Sequence, residues 1–285
     1  MRDQGVQKRR GEFEHAGNRI STRSWIPDVA VRGVIVLVHG VAEHSGRYDY
    51  VARTFAAAGF AVHALDHVGH GESADAGTRA NIGSVDNAAD NVAALLDLAR
   101  EEHPGAPAFV VGHSMGALIT LYLATRAPLE VAGVVVSAPP LIIDAGNPAQ
   151  RLLAPVLTRL APNLGVLKLD SSQISRDPAV VTAYDDDPLV FRGKLPARTA
   201  TEILTAAATV LDRLPRLRVP TLALHGTADV IAAPASTDRI EQHAGTTDLT
   251  VRRYDGLYHE IFNEPERDRV LADVVAWLDA RVPAE

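Results

Sequence analysis

The chain of 285 residues contains no cysteine. That absence removes disulfides, thiolate metal sites and a cysteine nucleophile from consideration. No apolar run approaches the roughly 18 residues that a membrane-spanning helix needs. The opening stretch, Met1 to His15, is charged and polar with no apolar h-region. No signal peptide is evident, so a cytoplasmic location is expected, with contact on one side of a membrane as the most the sequence allows. There is no basic excess either. The formal net charge is −7, which leaves no electrostatic footprint for nucleic acid as a partner. Internal repeats are also missing. What remains is an ordinary apolar content and enough length for one sizeable core with an insertion.

The stretch that organises the rest is Gly112-His113-Ser114-Met115-Gly116. Ala108 to Val111 before it is a short apolar run. Ala117 to Ala124 after it is apolar with helical spacing. The pattern is strand, sharp turn, helix, with a serine at the turn. Two glycines flank the serine because so tight a turn leaves no room for side chains beside it. The pentad alone is a weak signal, and its flanks make it specific.

Taken in order, residues 1–12 read as a disordered tail, carrying Lys8-Arg9-Arg10 and little apolar content. Phe13 to Trp25 reads as an edge hairpin turning at Gly17-Asn18. Val34 to Val38 is a continuous β-branched run, as in a strand buried on both faces. A helix from Tyr48 to Ala58, a strand from Phe60 to Leu65 and a long helix from Ser84 to His103 follow. The strand at Ala108, the serine turn and a strand from Val131 to Ser137 come next. This alternation predicts an α/β protein with a mostly parallel sheet and helices on both faces. In such sheets the chemistry lies beyond the carboxyl ends of the strands.

After Ala138-Pro139-Pro140 the pattern changes, and no convincing strand is read between Leu141 and about Leu217. Helical stretches, such as Pro148 to Leu160 and Ala200 to Leu214, suggest an inserted helical cap over residues 139–217. Residues 13–138 and 218–285 then form the core. Strands at Pro220 to Gly226 and Leu249 to Tyr254, and helices at Thr237 to Ala244 and Glu266 to Arg281, complete it.

A serine hydroxyl needs a base within hydrogen-bond reach, and the base needs an orienting carboxylate. On this kind of sheet the order is Ser, then Asp or Glu, then His. Asp229, after the Thr221 to His225 strand, fits the acid; the alternative is a plain turn aspartate. His259, after the Leu249 to Tyr254 strand, fits the base, whereas His243 lies inside a predicted helix. The oxyanion needs two convergent backbone donors. Met115 N–H is one candidate, and Val41 N–H, in the loop after Val38, is the other. The set Asp66-His67-x-x-His70, with His39 and His113, invites a metal reading. Gly69 and Gly71 interrupt any helix that would align those residues, so no metal and no other cofactor is expected. These histidines are read instead as holding loops by hydrogen bonds.

Several stretches together resemble the α/β-hydrolase superfamily, and within it the monoacylglycerol lipases of bacterial (actinobacterial) type. They are His39-Gly40-x-x-Glu43-His44-Ser45-Gly46-Arg47-Tyr48, Asp66-His67-x-Gly69-His70-Gly71-x-Ser73 and the pentad itself. Ser175-Arg176-Asp177-Pro178 and Tyr184 to Leu189 continue the likeness through the cap. His225-Gly226-Thr227-x-Asp229 and Gly256-x-Tyr258-His259-Glu260-x-x-Asn263-Glu264 close it. The resemblance implies the α/β-hydrolase fold with a helical cap, Ser114, Asp229 and His259 as triad, and Val41 and Met115 as oxyanion donors. It further implies Glu43, Arg47 and Tyr184 near a glycerol head group. The chain departs from the family with Val41-Ala42, where Ala or Leu then Gly is common, and with Ala117, where a second Gly is common.

The resemblance implies a serine hydrolase that cleaves monoacylglycerols to fatty acid and glycerol through an acyl-enzyme. A broader carboxylesterase or a lysophospholipase shares the same machinery. A non-catalytic binding module on this fold would be expected to have a broken triad. An epoxide hydrolase or dehalogenase would carry Asp, not Ser114, at the turn. In the cap, Leu152, Leu153, Val156, Leu157 and Leu160 recur at helical spacing, followed by Leu164, Val166, Leu167 and Leu169. They suit either ordinary packing or an acyl-chain tunnel with a membrane-docking lid.

Overall fold

The computed structural model describes residues 5–75, 77–143 and 158–283. Its centre is an eight-stranded sheet among those residues. Strands β1 (Val6–His15), β2 (Asn18–Pro27), β3 (Gly33–Val38), β4 (Phe60–Leu65), β5 (Ala108–His113), β6 (Gly133–Ser137), β9 (Thr221–Gly226) and β10 (Leu249–Tyr254) stand in the order β1-β2-β4-β3-β5-β6-β9-β10. From β4 to β10 every neighbouring pair is parallel, whereas β2 pairs antiparallel with both β1 and β4.

Parallel strands need long crossovers, and helices supply them. They are α1 (Asp49–Ala57), α2 (Val85–Glu102) and α3 (Met115–Arg126). Beyond β6 come α4 (Pro178–Asp186), α5 (Ala197–Arg213), α6 (Ala235–His243) and α7 (Arg267–Asp279). Ser84 is the cap of α2, its side chain accepting the Asn87 N–H at 3.2 Å.

The side-chain period of two explains why β3 reads as continuously apolar. Val34, Val36 and Val38 face one core with α2 and α3, while Ile35 and Leu37 face another with α1 and α7. Each such side chain contributes about 1.5–3 kcal/mol by leaving water. Sandwiching the sheet in this way leaves the strand ends as the accessible rims.

Two expectations change. Residues 6–12 are not a disordered tail: they form most of β1, paired with β2 from Val6↔Pro27 to His15↔Asn18. The strand is invisible to apolar patterning because most of its residues are exposed. Main-chain pairing and ion pairs such as Arg9–Glu102 and Arg10–Glu72 hold it instead. The second change lies between β6 and β9, where a small two-stranded antiparallel sheet pairs β7 (Gly165–Leu167) with β8 (Leu195–Pro196). Strands this short carry no readable alternation. The other regular elements of that excursion are helical among the described residues, and α5 packs Ala206, Ala207 and Val210 into the core cluster that holds α3. Leu152, Leu153, Val156 and Leu157 lie outside the described residues, as does most of the Pro148 to Leu160 stretch.

Candidate active site

The turn after β5 has the geometry the glycines imply. Ser114 sits at φ +52° and ψ −121°, a conformation that costs an L-residue of order 1–3 kcal/mol. A Cβ on Gly112 would lie 2.4 Å from the Gly116 carbonyl oxygen, and one on Gly116 would lie 2.1 Å from that of Val38. Any larger residue at either place would force β5, α3 and β3 apart. Ser114 N–H donates to Ser137 O at 2.9 Å, tying the turn to β6.

Asp229 follows β9 and His259 follows β10, so three separate strand ends bring the three residues together. His259 Nε2 lies 2.9 Å from Ser114 Oγ, and His259 Nδ1 lies 2.8 Å from Asp229 Oδ2. A carboxylate only accepts, so Nδ1 carries the proton and Nε2 is left to accept from the serine hydroxyl. All three residues are buried. Burial alone would raise the Asp229 pKa. Hydrogen bonds from His225 and His259, the nearby His259 ring and the Ala232 N–H outweigh it and hold the carboxyl well below the usual range. The acid therefore stays ionised. His243, the rival base, ends α6 and is exposed.

His225 is a residue whose role the sequence did not assign. Its Nε2–H is placed to donate to both Asp229 Oδ2, at 3.1 Å, and Ala232 O, at 2.9 Å. Its Nδ1 is 2.7 Å from the Thr237 hydroxyl. Asp229 Oδ1 accepts the backbone N–H groups of Ile231 and Ala232. Four donors thus fix one carboxylate, and the acid cannot turn away from His259.

His113, inside the pentad, packs against His259 with ring centroids 4.8 Å apart. Burial, then the neighbouring His259, lowers its pKa to about 4. It stays neutral beside a base that must gain a charge.

The loop after β3 brings Val41 to the cavity that Ser114 and Met115 also line. Neither the Val41 nor the Met115 backbone N–H has a hydrogen-bond partner among the described residues. Glu43 organises this loop. Its Oε1 accepts the Gly40 N–H at 2.7 Å and the Tyr48 hydroxyl at 2.6 Å. Its Oε2 accepts from Arg47, which also makes a two-pronged pair with Glu260 at 2.8 and 2.7 Å. Against the penalty of burial, Arg47 first and then His113 and His39 bring the Glu43 pKa down to about 2. The Arg47 guanidinium lies 4.6 Å from the Tyr184 ring centroid. Glu43, Tyr184 and Glu260 line the cavity; Arg47 stands behind them with its donors engaged. Glu260 falls inside a matching motif yet carries no role readable from sequence, because a carboxylate beside the base has no spacing rule of its own.

The other histidines divide. His39 Nδ1–H donates to Gly40 O at 2.7 Å, and its Nε2 accepts the His67 N–H at 3.0 Å. Both of its nitrogens are used within the loop. His70 is bonded through Nδ1 to Val68 O at 2.9 Å. His67 departs from the expectation of loop-holding by hydrogen bonds: neither of its ring nitrogens has a partner among the described residues, and it packs 4.6 Å from the His39 ring. Asp66 is committed to Ser45, Arg23 and the Glu72 N–H.

The cavity above Ser114 has a volume of about 120 Å³. Its lining combines the polar side chains Glu43, Tyr184, His259 and Glu260 with apolar Ile143, Leu169, Ile174, Leu195, Ile203 and Ile231. Ser175, Arg176 and Asp177 anchor the segment that carries Tyr184. Asp177 caps α4 through the Ala179 N–H, Ser175 Oγ donates to Asn263 O, and Arg176 pairs with buried Glu264 at 2.6 Å. The motif residues before α4 and after His259 thus hold each other.

The arrangement is a hydroxyl, a base and an acid in hydrogen-bonded series beside two unengaged backbone N–H groups and a small amphipathic cavity. Known proteins with related chains carry names that agree with it. The serine aminopeptidase, S33 family profile matches residues 29–266. A monoacylglycerol lipase of Mycolicibacterium smegmatis is 40% identical over 96% of this chain and 98% of its own. The human monoglyceride lipase is 33% identical over 93% of this chain and 88% of its own. The crystal structure of the Paleococcus ferrophilus monoacylglycerol lipase superposes with a TM-score of 0.81 at 31% identity, covering 96% of this chain and 99% of that one.

Proposed function

This chain belongs to the serine aminopeptidase S33 family of α/β-hydrolases, and we propose that it is a serine hydrolase cleaving monoacylglycerols to fatty acid and glycerol. The observation that carries the chemistry is the series Ser114–His259–Asp229, at 2.9 and 2.8 Å. The observation that carries the substrate is a cavity lined by both polar and apolar side chains, together with relatives named for this activity.

His259 Nε2 takes the Ser114 proton as Oγ attacks the ester carbonyl. Asp229 holds the imidazole by Nδ1–H and stabilises the imidazolium that forms. The carbonyl oxygen becomes an oxyanion facing the Val41 and Met115 N–H groups, which have no other partner among the described residues. His259 then protonates the departing glycerol oxygen, leaving the acyl chain on Ser114. Water then attacks the acyl carbonyl as His259 takes its proton, and His259 returns that proton to Ser114 Oγ as the fatty acid leaves. Neutral His113 beside the base keeps a second positive charge from opposing the imidazolium.

The glycerol end of the substrate meets Glu43, Tyr184 and Glu260, with Arg47 holding both glutamates in place. Two free hydroxyls buried without partners would cost roughly 1–3 kcal/mol each, and these side chains accept and donate where that cost would arise. The described residues between β6 and β9 serve as a cap over the acyl end. Leu160, Leu164, Val166 and Leu167 are exposed on it, and Leu167 also lines the cavity. This apolar patch meets a lipid surface from which a single-chain substrate can pass into the cavity. No helix among the described residues is long and apolar enough to cross a membrane.

A panel of lipid esters tests the assignment. Long-chain monoacylglycerols should be cleaved well above diacylglycerols, with negligible triacylglycerol turnover. A lysophospholipid or triacylglycerol preferred by tenfold would overturn the head-group assignment. Failure of a fluorophosphonate probe to label Ser114 would overturn the serine hydrolase itself.

A further inference from the structure

Away from the cavity, three side chains meet where α2 ends against the sheet. His63 lies on β4, Glu102 is the last residue of α2 and His103 caps that helix. One imidazole nitrogen from each histidine and one carboxylate oxygen all lie within 4.8 Å of one another. The two rings are tilted, with centroids 5.6 Å apart. His63 Nε2 and His103 Nε2 are both buried, and neither has a hydrogen-bond partner among the described residues. Leaving a polar atom in that state costs about 1–3 kcal/mol, so two at one place need a reason.

The surroundings of the cluster suit a ligand with empty orbitals. His63 Nδ1 is 3.1 Å from Ser24 Oγ, on the neighbouring strand. With Nδ1–H donating to that hydroxyl, Nε2 is left with a bare lone pair. Metal-bound histidines are oriented by an outer bond of this kind. Glu102 Oε1 accepts from Arg9 at 2.6 Å, while Oε2 has no hydrogen-bond partner among the described residues. The carboxylate can therefore keep Arg9 on one oxygen and offer the other.

We propose that His63, Glu102 and His103 form a binding site for a divalent transition-metal ion. Two imidazoles and one carboxylate suit zinc, with cobalt(II) as its spectroscopic stand-in, and do not suit calcium or magnesium, which take oxygen ligands. Zinc holds such ligands at about 2.0–2.2 Å. Exposed Glu102 and half-buried His103 draw in toward buried His63. The ion would clamp the end of α2 to β4 and, through Arg9, to the edge strand β1. It takes no part in ester cleavage, because the chain leaving α2 enters the start of β5, and Ser114 lies past the other end of that strand.

The test uses the full chain stripped with EDTA. Equilibrium dialysis against zinc chloride should give one ion per chain, and cobalt chloride should give visible d–d absorption of a low-symmetry site. Zinc should raise the melting temperature. Because His63 is buried, the variants are His103→Ala and Glu102→Gln. Each should weaken zinc binding by roughly 10–100-fold or more and lose the melting shift, with ester hydrolysis unchanged. His243→Ala, an exposed histidine elsewhere, should bind as the parent does. The site is overturned by absence of stoichiometric zinc, by parental affinity in both cluster variants, or by loss of the ion in His243→Ala instead.

Discussion

The Glu43 carboxylate accepts the backbone N–H of Gly40 at 2.7 Å, and the next residue, Val41, is the proposed oxyanion donor. Gly40 is thereby fixed from below, and the Val41 N–H cannot rotate out of the cavity without breaking a charge-assisted bond. Glu43→Ala should lower kcat by about 10²-fold, the lower end of what losing one oxyanion donor costs. Glu43→Gln keeps an acceptor for Gly40 and should lose less, although Arg47 then faces one carboxylate. Steady-state kinetics on a p-nitrophenyl ester, which lacks glycerol, separate this positioning effect from head-group binding. Parental kcat in Glu43→Ala would show that the loop holds itself.

Ser114→Ala should abolish probe labelling and turnover while the melting temperature stays near the parental value, since it removes one hydroxyl at a turn whose shape the glycines maintain. Asp229→Asn should cost on the order of 10⁴ in turnover, as in the serine-protease template, because the wrong His259 tautomer is then favoured. The introduced amide would also face His225, which donates to the same carboxylate oxygen in the parent. Near-parental turnover in Asp229→Asn would mean that another acid orients the base.

What could be read from the sequence followed physical periodicity. The β3 run, the β5–turn–α3 unit and the loops after β9 and β10 were legible because buried parallel strands are continuously apolar and a serine between two glycines has few structural uses. That logic led to Ser114, Asp229 and His259, whose side chains now stand in hydrogen-bonded series. It failed for β1, where main-chain pairing holds a polar strand that has no apolar face. It was silent on His225 and Glu260, since each acts through a partner brought near only by the fold. The resemblance pointed to Glu43 and Arg47 as head-group contacts, but nothing in the sequence indicated that Arg47 spends its donors on two glutamates.

Buried histidines set the acid stability. Burial lowers the pKa of His39, His67, His70 and His113, the last two to about 4 from 6.5. Between those values the unfolded chain binds protons that the native chain refuses. The stabilisation is therefore complete above about pH 6.5 and lost as pH falls toward 4, each tenfold change in proton affinity being worth about 1.4 kcal/mol. Glu43 and Asp66, both lowered to about 2, keep their contribution down to the ordinary carboxylate range, so they do not account for losses nearer neutrality. The melting temperature should be flat from about pH 7.5 to 8.5 and lower by about 5 °C or more at pH 5. Equal melting temperatures at pH 5 and 7.5 would contradict this account.

The head-group assignment needs a variant that does not disturb the buried ion pairs. Arg47→Ala is unsuitable, because Glu43 and Glu260 would be left buried and unpaired, a change that typically costs about 3–5 kcal/mol of stability. Tyr184 offers a cleaner test. It lines the cavity, and its hydroxyl has no hydrogen-bond partner among the described residues. Its ring, not its hydroxyl, carries the contact with Arg47. Burial first, then Glu43, pushes its pKa up, so the hydroxyl stays protonated and can donate. Tyr184→Phe keeps the ring and removes only that donor. A hydrogen bond worth about 0.5–1.5 kcal/mol corresponds to roughly 2–10-fold in binding. KM for a long-chain monoacylglycerol should therefore rise by about that factor, with kcat nearly unchanged because the contact is the same in ground and transition states. The p-nitrophenyl ester of the same acyl chain has no glycerol hydroxyl to lose and should show parental constants. An equal rise in KM for both esters would place Tyr184 on the acyl side of the cavity and remove it from the head-group site.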